Sequence, residues 1–280
     1  LPNRMPADVF AAHAIGWALE PGLHATIITT TGLVDIDVNS EGFRDRNYPL
    51  AKSGDHPRLL VLGDSFTVAL ETPQTETFHV LLEERTRAEV IAMAASGYGT
   101  QQEFLAYQYI GRNFEPDMVL LVFYISNDLV GNTRRRELPH YTLNEVGTLS
   151  LQGYPYTGSF NLPLVTGQRS TPLMRHSMLA FIAGHVLRSR NLNPPHDENL
   201  CDYLIGEHYP DPQPDDWTVT EALLLALRDI VEANGSQFRM IVVPTEFQVE
   251  QVYLDEFLSK CEEPDWAPET PFQTRLMAFL

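Results

Sequence analysis

Three short segments carry the residue types that acyl transfer requires, and each closes an apolar run. The first is Gly63-Asp64-Ser65-Phe66, behind Arg58-Leu59-Leu60-Val61-Leu62. The second is Ala95-Ser96-Gly97-Tyr98-Gly99-Thr100, behind Val90-Ile91-Ala92-Met93. The third is Ile125-Ser126-Asn127-Asp128, behind the run from Met118 to Tyr124. Attack on an ester needs a nucleophile and donors aimed at the oxyanion of the tetrahedral intermediate. Ser65 offers the hydroxyl. Gly97 offers a backbone N–H with no side chain in the way. Asn127 offers an amide donor that stays protonated at every working pH. Taken singly, each segment also reads as an ordinary turn, because Gly, Asp and Ser all form turns.

The elements around these segments give the set its meaning. An apolar run that stops at small and polar residues reads as a buried strand reaching the carboxyl edge of a sheet, where open α/β folds bind ligands. The pattern predicts strands over 58–62, 89–93 and 117–125, with helices over 76–87 and 100–112 between them. Glu83 and Arg87 have the i,i+4 spacing of a helical ion pair. The continuous apolar stretch Met118–Tyr124 fits a central parallel strand covered on both faces. The alternation resumes at Thr218, read as the cap of a helix Val219–Ala233, with Glu221 as its capping-box partner. A fourth strand comes next over Phe238–Val243, then a helix over Gln248–Lys260. Parallel strands joined by right-handed helical crossovers imply a three-layer α/β/α sandwich. Its expected strand order is the flavodoxin-like 2-1-3-4-5.

With the three blocks in order, the chain resembles the SGNH, or GDSL-type, hydrolase family. Gly63-Asp64-Ser65-Phe66 is similar to the family's first block, Gly97 to the glycine of the second and Asn127-Asp128 to the third. Ser126 stands where the family usually has glycine. Upstream, Val38-Asn39-Ser40-Glu41-Gly42-Phe43-Arg44-Asp45 resembles the lead-in of a bacterial branch rich in exported or envelope-associated proteins. The resemblance implies a serine esterase or acyltransferase. Ser65 would be the nucleophile, and the N–H of Ser65, the N–H of Gly97 and the Asn127 amide would hold the oxyanion. It implies a small-molecule or polysaccharide ester as substrate and an exported or envelope setting. It also implies an Asp-x-x-His block supplying the base, and no Asp-x-x-His occurs in this sequence. The chain is therefore expected to be a fragment lacking its last strand and catalytic loop. The alternative is an inactive SGNH-like module that binds carbohydrate.

Nine histidines are present, at 13, 24, 56, 79, 140, 176, 185, 196 and 208, and none sits in a pattern that argues for the base. Asp64 and Asp128 are expected to brace their loops through backbone hydrogen bonds. Residues 1–54 read as an arm with a β-hairpin over Thr26–Val38. Residues 55–132 and 217–280 read as the α/β domain, and 133–216 as an insertion with one helix over Leu173–Arg190. The insertion is either a lid or an ornament. Tyr141, Tyr154, Tyr156 and Phe160 either line an acyl or sugar site or form the insertion's own core.

The formal charge of −18 argues against nucleic acid and anionic membrane surfaces as partners. Arg134-Arg135-Arg136 is the one basic cluster and reads as a solvated loop. No apolar run approaches the ~18 residues of a membrane span. Cys201 and Cys261 show no metal spacing; two free thiols are the default, and a disulfide is the alternative for an exported protein. Neither a metal nor a nucleotide cofactor is expected, since no Cys-x-x-Cys, His-Glu-x-x-His, Walker or Gly-x-Gly-x-x-Gly motif occurs.

Overall fold

The computed structural model describes residues 10–11, 14–29, 32–52, 54–125, 127–134, 138–156, 214–252, 254–255, 259, 275–276 and 278–279. The chain divides into two compact units. One comprises Pro2–Leu162 and Pro212–Val243 and carries the sheet and all three blocks. The other comprises Leu1, Pro163–Asp211 and Pro244–Leu280; within it the helix α6 covers Glu246–Val249. The expected helix over Leu173–Arg190, Phe160, Cys201, Cys261 and Ser126 lie outside the described residues.

In the larger unit, two-residue strands β1 (Phe10–Ala11) and β2 (Ala18–Leu19) pair antiparallel. β3 (His24–Thr29) and β4 (Gly32–Asp37) form the expected hairpin. Its inner positions Val34 and Ile36 are buried while Leu33, Asp35 and Asp37 face out, the period-two pattern of a one-sided hairpin.

The core is a four-stranded parallel sheet of β5 (Arg58–Gly63), β6 (Glu89–Ala94), β7 (Met118–Tyr124) and β10 (Gln237–Val243). The strands lie in the order β10-β7-β5-β6. Read from the β6 edge and numbered within the sheet, this is 2-1-3-4, the flavodoxin-like arrangement as far as four strands carry it. The fold is α/β, with helices flanking the sheet. They are α1 (Ser65–Val68), α2 (Phe78–Thr86), α3 (Thr100–Tyr109), α4 (Asn127–Arg134) and α5 (Pro214–Ala233). A small hairpin of β8 (His140–Leu143) and β9 (Leu149–Gln152) comes after α4. Val61, Val90 and Val122 meet at the sheet's centre, and Leu59, Leu82, Ala88, Leu120 and Val243 pack around them.

Two expectations need correction. α5 begins at Pro214, so Thr218 lies inside the helix and does not cap it. Proline at a first helical position pre-sets φ and gives up an N–H that has no partner there. Asp215 and Asp216 fill the first turn, where carboxylates are favoured. Glu83 does not form the expected i,i+4 pair; its carboxylate takes Arg46, the Tyr48 hydroxyl at 2.8 Å and the Val90 N–H at 2.8 Å. Arg87 instead closes α2 as a left-handed cap. Of the two readings open for Tyr141, the structure favours core: it is buried, stacks on Phe104 with centroids 5.2 Å apart and bonds Gln108 at 2.7 Å.

Candidate active site

β5 delivers Gly63 to the carboxyl edge of the sheet, and α1 starts two residues later with Ser65. Glycine is required at the junction because of how tightly α1 folds back. A Cβ on Gly63 would lie 2.1 Å from the Thr67 hydroxyl oxygen and 2.9 Å from the Thr67 Cβ. Gly63→Ala is therefore expected to cost about 1–3 kcal/mol in urea unfolding and to displace α1. Unchanged stability would show that Thr67 yields at no cost. Ser65 is exposed, while Asp64 beside it has no exposed surface.

Asp64 caps α1, its Oδ1 accepting the Phe66 N–H at 2.9 Å. Its Oδ2 accepts from Asn127 Nδ2 at 2.8 Å. That bond ties the first block to the third across 63 residues of sequence. The second hydrogen of the same amide goes to the Tyr98 carbonyl at 3.1 Å. All three blocks thus meet at the Asn127 side chain. Its Oδ1 is buried without a hydrogen-bond partner. Gly97 precedes Tyr98 at φ +80°, a left-handed conformation in which glycine is favoured. Asp128 braces its own loop as expected, accepting the Tyr124 N–H at 2.6 Å.

Four residues whose contacts sequence reasoning missed hold the site loops. Trp17, fully buried, donates from its indole to the Ser96 carbonyl at 3.1 Å, and the Tyr98 hydroxyl donates back to the Trp17 carbonyl at 2.6 Å. Their rings meet edge to face at 5.1 Å. Arg44, from the lead-in segment, donates to the carbonyls of Val68 (2.9 Å), Ala69 (2.5 Å) and Thr72 (2.7 Å), which closes the far end of α1. Burial lowers its pKa to about 10, so it stays charged at neutral pH. Its neighbour Asp45 is pushed up to about 7 by burial and accepts the Ala92 N–H of β6 at 2.8 Å. Asn132 of α4 accepts the Gln101 N–H at 3.1 Å and donates to Thr220 of α5 at 2.8 Å. This pins the start of α3 beside the third block.

None of the histidines at described positions is placed to serve Ser65. His79 is buried on α2 with Nε2 3.3 Å from the Thr77 hydroxyl, and burial lowers its pKa to about 4. His24 pairs with Asp37, and His140 faces the Leu138 carbonyl at 2.7 Å. His56 precedes β5, at the opposite end of the strand from Ser65. Among the described residues no group of three histidine, cysteine or acidic side chains is arranged to hold a metal ion. Likewise, no helix among them is long and apolar enough to cross a membrane.

No family model matches the chain, and neither does any curated protein. Several solved structures are similar to it at low identity. One is TesA, at 12% identity, with 72% of this chain and 69% of that one covered and a TM-score of 0.32. Another is a GDSL-like lipase from Bacteroides thetaiotaomicron VPI-5482, at 13% identity, 65% and 67% coverage and a TM-score of 0.24. A third is AlinE4, an SGNH-hydrolase family esterase, at 14% identity, 77% and 100% coverage and a TM-score of 0.27. At these TM-scores the likeness decides nothing, and the site stands on its own geometry.

Proposed function

We propose that the chain is a serine acyl hydrolase or acyltransferase of the SGNH type, acting on a small-molecule or polysaccharide ester. The observation that carries this reading is the convergence of the three blocks on Asn127, beside an exposed serine at a strand end. Ser65 Oγ attacks the ester carbonyl and forms a tetrahedral oxyanion. The Ser65 N–H, in a first helical turn whose N–H groups have no intrahelical partner, is one donor. Gly97 supplies a second. Asn127 supplies the third by trading its bond to the Tyr98 carbonyl for one to the oxyanion, while Asp64 keeps the other amide hydrogen. The intermediate collapses with loss of the alcohol, and water or a sugar hydroxyl then takes the acyl group from Ser65.

The base that removes the Ser65 proton and returns it to the leaving alkoxide is, in this reading, the histidine of the Asp-x-x-His block that the resemblance implies and that does not occur in this sequence. Phe66, 48% exposed and packed on Tyr124 with centroids 4.6 Å apart, offers an apolar platform next to the nucleophile for the acyl or alcohol part. Hydrolysis of p-nitrophenyl acetate tests the donor assignment. With the base present, Asn127→Ala is expected to lower kcat by about 10²–10³ with KM little changed, the usual cost of one oxyanion donor. A kcat within a factor of about two of wild type contradicts the assignment.

A further inference from the structure

Beneath the site lies a carboxyl group that the proposed reaction leaves unused. Glu103 on α3 has no exposed surface, and neither of its oxygens has a hydrogen-bond partner. The titratable groups that face it are Asp64 at the end of β5, Asp128 in the first turn of α4 and Tyr98 in the loop before α3. Among the described residues none of the three carboxyls is in an ion pair.

The three are not equivalent. Asp64 accepts two donors, the Phe66 N–H and the Asn127 amide. Asp128 accepts one, the Tyr124 N–H, and its Oδ1 is left bare. Glu103 accepts none. Hydrogen bonds to a carboxylate favour its anion, whereas burial and neighbouring carboxylates disfavour it. A bare carboxylate in a dry interior beside two others is strongly disfavoured, so the group keeps its proton instead. A protonated Glu103 turns from acceptor to donor, and the bare Asp128 Oδ1 is an acceptor short of one donor.

We propose that Glu103 is the neutral acid of a proton-sharing cluster with Asp64 and Asp128. Its proton leaves Asp64 free to remain the anion that orients the Asn127 amide, which makes Glu103 a positioning residue of the site. Burial first, and then the neighbouring carboxylates, push Glu103 and Asp128 well above the usual carboxylate range; burial raises Asp64 too, and its hydrogen bonds from Phe66 and Asn127 draw it back down. The functional consequence rests on the esterase reading, but the proton does not. It is measurable in a protein with no turnover at all.

Infrared spectroscopy of the folded full chain at pH 7 reads the proton directly. The expected result is a carbonyl stretch of a protonated carboxylic acid that shifts in D2O and disappears in Glu103→Gln. The same band should survive in Ser65→Ala. No such band in folded wild type, or its persistence unchanged in Glu103→Gln, overturns the proposal. If Glu103→Gln does not fold, the titration of the wild-type band decides. It should persist past pH 7, and its loss at the usual carboxylate pH of about 4–5 overturns the proposal. Linkage supplies a second readout. A carboxyl whose folded pKa is raised holds its proton in the native state when the unfolded chain has lost it, so wild-type stability falls as pH rises above about 4.3. Glu103→Gln should remove part of that fall, and an identical pH slope in the two proteins contradicts the proposal. A band without esterase activity would sustain the proton and sink the esterase reading, so the two fail separately.

Discussion

Ser65→Ala, with the base present, is expected to lower turnover of p-nitrophenyl acetate by about 10³ or more while leaving the unfolding curve within about 0.5 kcal/mol of wild type. The asymmetry comes from where the hydroxyl sits. Ser65 is exposed, and α1 is held in place by its neighbours: the Asp64 cap, the Gly63–Thr67 packing and the Arg44 clamp. Removing the oxygen removes the nucleophile and almost nothing structural. Loss of turnover together with loss of stability would mean that Ser65 is a structural residue. Retained turnover would place the nucleophile elsewhere.

Arg44→Ala is expected to show the reverse pattern, a loss of stability of about 3–5 kcal/mol in urea unfolding with activity falling in step. The carbonyls of Val68, buried, and of Ala69 and Thr72, part-buried, lose the guanidinium, at ~1–3 kcal/mol each, with the Thr72 N–H on Ala69 and entering water recovering part. Arg44→Lys should recover little. An ammonium cannot span the carbonyls of Val68, Ala69 and Thr72 that the planar guanidinium reaches from two nitrogens. Stability within about 1 kcal/mol of wild type in Arg44→Ala would show that water satisfies those carbonyls as well as Arg44 does.

The strands are legible in the sequence because their signal is local. Arg58–Gly63, Glu89–Ala94, Met118–Tyr124 and Gln237–Val243 are short apolar runs with punctuation at their carboxyl ends, and the order of the four is constrained by the handedness of parallel crossovers. The bracing role of Asp64 and Asp128 is also legible, since an acidic residue at a strand-to-helix turn readily caps the adjoining helix or ties down its own loop. The remainder depends on contacts between distant residues. Trp17 meets the second block from 79 positions away, and nothing in its flanking residues marks it as a loop anchor. Arg44 is visible only as part of a lead-in pattern, and its four-residue helix target lies over 20 positions downstream. Glu103 looks like a polar position in a helix; only the tertiary packing of α3 buries it. Glu83 escapes the helix-spacing rule because spacing cannot register that Arg46 and Tyr48 compete for the same carboxylate. The start of α5 has a readable signal in Pro214-Asp215-Asp216, and the serviceable cap at Thr218 masks it.

The most direct test of the reacting centre is covalent capture. The protein, with the base present, is treated with a fluorophosphonate and the modified peptide is mapped by mass spectrometry. An activated Ser65 should give a single adduct on Ser65, absent from Ser65→Ala and markedly slower to form in Asn127→Ala. A folded protein that forms no adduct, or one that carries it on another serine, would contradict the assignment of Ser65 as an activated nucleophile.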